Sequence, residues 1–172
     1  MKKISKFLAV LLACAMAMLL LTACAGGSGT SSGAMDETIL RAMNSARKEA
    51  SLSEVQLEKS LSSVAKDFYE NKSGRVRSVS INGQTYDVYF MVSTRWSSAN
   101  YTPSEESWKT EFHSYIAAWQ AVKPDSNQST SSTMYVGNKD LKYIGVWSGT
   151  DNGQPACCIV AAFPQDVNPN RK

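Results

Sequence analysis

A single histidine, His113, an adjacent pair of cysteines, Cys157 and Cys158, and an aromatic loop holding Arg95, Trp96, Asn100 and Tyr101 are the residues whose types suit chemistry or recognition. His113 has Lys109, Thr110, Ile116 and Ala117 at the neighbouring helical positions, and a zinc site would need thiolates or carboxylates converging on it. Glu111 and Glu106 are near in sequence, but Glu106 is seven residues back, two helical turns away. The spacing predicts a histidine at the edge of an aromatic stripe, and no metal. Adjacent strand residues point to opposite faces, and a Cα separation of ~3.8 Å is shorter than a disulfide usually spans. Cys157 and Cys158 are therefore expected to be two small apolar side chains, one on each face. No Cys-x-x-Cys supports a thioredoxin-like role.

In Thr94-Arg95-Trp96-Ser97-Ser98-Ala99-Asn100-Tyr101, a tryptophan flanked by arginine and asparagine is suited to stacking on a sugar, peptide or lipid. The competing expectation is that Trp96 folds back as a lid over the core. There is no Gly-x-Ser-x-Gly elbow, phosphate-cradling glycine loop, His-Glu-x-x-His or calcium loop, and Asp140, Asp151 and Asn152 read as turn residues. No catalytic residue and no cofactor is assigned.

The compartment is set by the first residues. Met1-Lys2-Lys3 leads into an apolar run from Phe7 to Leu21, 15 residues long. That is short of the ~18 to 20 residues of a membrane span but suits a signal-peptide core. The run ends in Leu21-Thr22-Ala23-Cys24, which resembles the bacterial lipobox. The resemblance implies cleavage after residue 23, lipidation of Cys24, and a mature N-terminus held by membrane lipid at the outer face of the cytoplasmic membrane. Ordinary secretion with cleavage near Ala23 is the alternative. Loss of Lys2, Lys3 and Lys6 with residues 1–23 cancels the formal charge of +3, so the mature chain is neutral and its dispersed Lys and Arg residues give no case for nucleic acid.

Residues 24–34 comprise Cys24 and ten residues without a bulky side chain, which cannot bury enough surface to offset the entropy of ordering. They read as a tether of ~15 to 20 Å root-mean-square reach. Residues 35–172 suit one domain.

The elements that must position the loop and the histidine follow from periodicity. Ile39, Leu40, Met43, Ala46 and Ala50 form one apolar helical face, with Arg41, Asn44, Arg47 and Lys48 opposite. Leu61, Val64, Ala65 and Phe68 repeat the spacing after a break at residues 51–53. Arg75 to Ile81 and Gln84 to Val92 flank Asn82-Gly83, a type I′ hairpin signal. Thr102-Pro103-Ser104-Glu105 reads as a capping box starting a helix whose stripe is Trp108, Phe112, Tyr115, Ile116, Trp119 and Val122, ended before Pro124. Tyr143 to Phe163 reads as a closing hairpin, giving an α/β (α+β) domain whose antiparallel sheet is covered by helices.

Two of these segments carry a family resemblance. Ile39 to Arg47 with Asn44 and Arg47, then Leu52, Val55, Leu57, Glu58, Leu61, Val64 and Ala65, resembles the opening of the CAP superfamily of cysteine-rich secretory, antigen 5 and pathogenesis-related proteins and their bacterial SCP-like relatives. Tyr143-Ile144-Gly145-Val146 and the apolar strand to Phe163 are similar to its closing hairpin. The resemblance implies a CAP-like α-β-α sandwich and, in the better-studied members, a cavity with two His and two Glu. This chain departs from that pattern. Residues 68–71 and the stretch after Trp119 hold no histidine, and His113 alone cannot supply two imidazoles. The expectation is a lipid-anchored, non-catalytic binding or interaction module whose ligand or protein partner belongs to the cell envelope. A hydrolase with a carboxylate site and a structural envelope protein are the alternatives.

Overall fold

The computed structural model describes residues 32–71, 77–99, 101–122 and 131–169. The segments read as export signal and, for the most part, as tether, with Cys24, Asn100, Pro124 and the start of the first hairpin strand, lie outside them. Among the described residues, no helix is long and apolar enough to cross a membrane.

Helix α1 (Ser32–Glu49) opens the domain, three residues earlier than composition suggests. Met35, Ile39, Ala42, Met43 and Ala46 are buried along its length, so the packed face draws the small residues 32–34 into helix instead of leaving them as tether. Its end is a Schellman motif. Ser51 takes a left-handed φ of 58°, its N–H donates to the Lys48 carbonyl at 3.0 Å, and the Leu52 N–H donates to the Arg47 carbonyl at 2.9 Å.

The connection then enters the sheet as a two-residue strand, β1 (Gln56–Leu57), before a 3-10 turn (Lys59–Leu61) and helix α2 (Ser62–Asn71). Two hairpins make the rest of the sheet. Strands β2 (Arg77–Ile81) and β3 (Gln84–Arg95) meet at Asn82-Gly83, with φ of 52° and 79°. Strands β4 (Tyr143–Asp151) and β5 (Gln154–Pro164) meet at Asn152-Gly153, with φ of 51° and 75°. Both pairs have the positive φ angles of a type I′ turn. Between the hairpins lie helix α3 (Glu105–Ala121) and a 3-10 segment (Ser132–Gly137).

The sheet order is β1-β4-β5-β3-β2. Every pairing is antiparallel except β1 with β4, which is parallel, so the sheet is mixed and not antiparallel throughout. No hairpin joins β1 to its neighbour, so turn geometry does not impose an antiparallel direction on it.

Strand β5 shows the layering. Cys157, Ile159, Ala161 and Phe163 pack with α1, α3 and the second 3-10 segment, while Cys158, Val160 and Ala162 pack with Leu61, Ala65 and Phe68 beneath α2. Helices thus cover both faces in three layers. The cysteines are free, fully buried and on opposite faces, as alternation requires, and burial pushes both thiols up. Gly145 permits the close approach of the α2 layer, since a Cβ there would lie 2.3 Å from Leu61 Cβ and 2.9 Å from its carbonyl oxygen.

The cap of α3 is Ser104 and not Thr102. The Ser104 backbone is extended, and its Oγ accepts from the Ser107 N–H at 3.1 Å. With Ser104 at the cap, buried Pro103 and Trp108 take the positions of a hydrophobic staple, and Glu105 and Glu106 enter the first turn where the helix dipole favours anions. Trp108, Phe112, Ile116 and Trp119 are all buried on its inner face.

Candidate binding sites

The aromatic loop is aimed by a bulge. Up to Phe90, the even-numbered residues of β3 face α2, but the pairing steps from Phe90↔Val160 to Val92↔Ile159, so Met91 is extra. The alternation inverts there. Met91 and Val92 both pack on the α1 and α3 side, and Trp96, two residues on from Thr94, arrives on that same side. Its ring stands edge-on to Trp108 at 6.1 Å and 88°, so the lid expectation for Trp96 holds: the indole is half-buried against the core.

The loop is also pinned by hydrogen bonds. The Trp96 N–H donates to the Pro155 carbonyl, and Gln154 Nε2 donates to the Ser97 carbonyl, each at 3.0 Å. Arg95, one residue before and on the other face, pairs with Asp151 at 3.2 Å, where Asp151 also accepts from the Tyr69 hydroxyl at 2.9 Å. Burial and this bond push the Tyr69 phenol up to about 12. Of the four residues read from sequence, Trp96 and Tyr101 come together, their rings 6.3 Å apart and tilted by 43°. Arg95 is engaged elsewhere, and Asn100 lies outside the described residues. Tyr101, at 45 % exposure, is the one exposed large hydrophobic side chain among the described residues.

His113 belongs to a second constellation that the sequence did not reveal. Its Nε2 lies 2.8 Å from Glu49 Oε2, and Lys109 Nζ lies 2.7 Å from Glu49 Oε1. One carboxylate at the end of α1 therefore ties down two side chains one turn apart on α3. The Lys109 bond is the main cause that holds the Glu49 carboxyl below its ordinary range, and Glu49 in turn raises the Lys109 ammonium. Glu49, Ser51, His113, Ile116, Ala117 and Gln120 line an open cleft of about 390 Å³. Glu49 lies 64 residues from His113, so no local spacing signals the pair.

Arg47, expected on the solvent face of α1, is instead fully buried. Its Nε donates to the Ser53 carbonyl at 2.7 Å, and Nη1 to the carbonyls of Val136 at 2.6 Å and Asn138 at 3.0 Å. Burial pushes the guanidinium down to about 10. Asn44 closes a two-way amide clasp on Val55, accepting at 2.8 Å and donating at 2.9 Å. The two polar residues quoted for the CAP resemblance therefore hold the α1–β1 connection in place.

Among the described residues, no three of His, Cys, Asp and Glu come together as a metal would need. Asp36 is the described carboxyl pushed up by burial, and its neighbours are the Ser148 hydroxyl, donating at 2.8 Å, and Glu37 beside it in sequence. The Glu49 carboxylate in the cleft is shifted the opposite way, which suits a fixed anion and not a proton donor at neutral pH.

No protein-family model matches the chain, and no curated protein matches it.

Proposed function

We propose that the chain is a lipid-anchored binding module of the bacterial cell envelope. In this reading it is a divergent CAP/SCP-like domain that contacts its ligand through Tyr101 and the neighbouring edge of Trp96, without metal or covalent chemistry. The observation that carries the contact is Tyr101: a large, exposed ring beside an indole that is braced on Trp108 and strapped to the β4–β5 turn. A ring ordered in advance loses little entropy on binding, which favours aromatic anchors at recognition sites. The element order and the helices on both sheet faces support the CAP-like reading. The lipobox residues Leu21 to Cys24 support the anchor, and two acyl chains are enough to hold a chain on a membrane.

The experiment has two arms. Cys24→Ala should abolish metabolic lipid labelling and leave precursor or soluble protein, and persistent labelling would refute the anchor. Tyr101→Ser should lower retention on cell-wall sacculi purified from the host bacterium without changing the unfolding midpoint. Unchanged retention would refute the contact.

A further inference from the structure

The Glu49 cleft is separate from the aromatic loop and has its own chemistry. Its walls are the last turn of α1 and the second half of α3, so its groups are set on helices that are packed against the core. Its volume of about 390 Å³ falls in the ~300 to 1,000 Å³ range of small-molecule sites. Three properties select the ligand. First, the one carboxylate of the lining is already charge-paired, because Glu49 is bonded to the Lys109 ammonium one turn before His113; an incoming anion meets Glu49, and an incoming cation must compete with Lys109 for it. Second, donors and acceptors are both on offer: the Ser51 hydroxyl, the second ring nitrogen of His113, and the further lone pairs of Glu49. Third, Ala50, Ile116 and Ala117 add a methyl-lined surface, and among the described residues no aromatic ring lines the cleft to stack a nucleobase or a flavin.

We infer that this cleft binds a neutral N-acetylated amino sugar, whose hydroxyls and amide match the mixed donors and acceptors and whose acetyl methyl matches the alanine surface. Glu49, held between Lys109 and His113, is the acceptor for the sugar hydroxyls. Ser51 enters the lining from the left-handed turn that ends α1. This site is independent of Tyr101.

His113 makes the test direct. As the sole histidine of the chain, it gives one pair of imidazole carbon-bound proton resonances. The untagged mature protein, labelled with 13C-histidine, is titrated with N-acetylglucosamine, with glucosamine as the cationic analogue and with glucuronic acid as the anionic one. A saturable shift with a millimolar dissociation constant is expected for N-acetylglucosamine, and binding ~10-fold or more weaker for both charged sugars. Ala117→Leu, at an exposed position that tolerates a larger side chain, should weaken binding of N-acetylglucosamine ~10-fold or more by filling the cleft. Tyr101→Ser should leave the titration unchanged, so failure here and failure of the aromatic contact are told apart. Absence of a saturable shift, equal affinity for a charged sugar, full binding by Ala117→Leu, or loss of the shift in Tyr101→Ser would each overturn the inference.

Discussion

Replacing Arg47 by Met separates two opposed effects of a buried cation. Arg47 is fully buried, and no carboxylate is among its hydrogen-bond partners; these are the carbonyls of Ser53, Val136 and Asn138, and Nη2 has no partner. Removing the charge relieves desolvation: a guanidinium brought down from 12.5 to about 10 corresponds to roughly 3 kcal/mol of penalty on the charged form. Against that, the buried Val136 carbonyl loses its Arg47 donor at ~1 to 3 kcal/mol, the Asn138 carbonyl loses a charge-assisted bond while keeping the Leu141 N–H at 3.4 Å, and the part-buried Ser53 carbonyl loses a charge-assisted bond of similar size. These bonds also tie α1 to the connection and to the second 3-10 segment, so their loss loosens three elements together. A net destabilisation of ~2 to 4 kcal/mol is expected. Arg47→Lys should be no better than Met, because an ammonium cannot span three carbonyls with a planar fork. The assay is urea unfolding followed by far-ultraviolet circular dichroism, comparing midpoints at constant slope. An Arg47→Met variant as stable as the parent, or more stable, would show that desolvation outweighs the lost bonds.

Two further outcomes follow from the same packing. Phe112, fully buried and stacked on Trp108 at 5.5 Å, and Trp119, at 5 % exposure, should each cost ~3 to 5 kcal/mol on truncation to Ala, read as a shift in the urea midpoint, and losses below ~1 kcal/mol at both would mean an exposed face. Zinc should bind residues 35–172 no better than an unstructured control by calorimetry, because Glu49 and His113 offer two ligands at most; stoichiometric micromolar binding lost in His113→Ala would contradict this.

Elements dictated by local chemistry were legible in the sequence. Asn82-Gly83 supplies its own positive φ angles, and the 3,4 spacing of Trp108, Phe112, Ile116 and Trp119 specifies a buried helix face. Features dependent on distant partners were not legible. Arg47 reads as a solvent-face residue until the carbonyls of Val136 and Asn138 are brought to it across 89 and 91 residues. Trp96 faces α3 because of one extra residue at Met91, and a bulge leaves no distinctive mark in a run of apolar strand residues. Thr102 matches a capping box by type, yet Ser104 wins because Pro103 can then be buried before Trp108. The Glu49 and His113 pair joins two helices whose contact no spacing encodes.

Tyr101 gives the most direct test of the binding reading, since its ring is exposed whereas truncating Trp96 would also remove its contact with Trp108. The measurement is the apparent affinity of the mature protein for purified sacculi, by co-sedimentation, for the parent and for Tyr101→Ser with its urea midpoint determined alongside. Saturable binding by the parent and at least ~10-fold weaker binding by the variant are expected, with stability unchanged within ~0.5 kcal/mol. Equal binding by the two proteins, or no saturable binding by the parent, would contradict the binding reading.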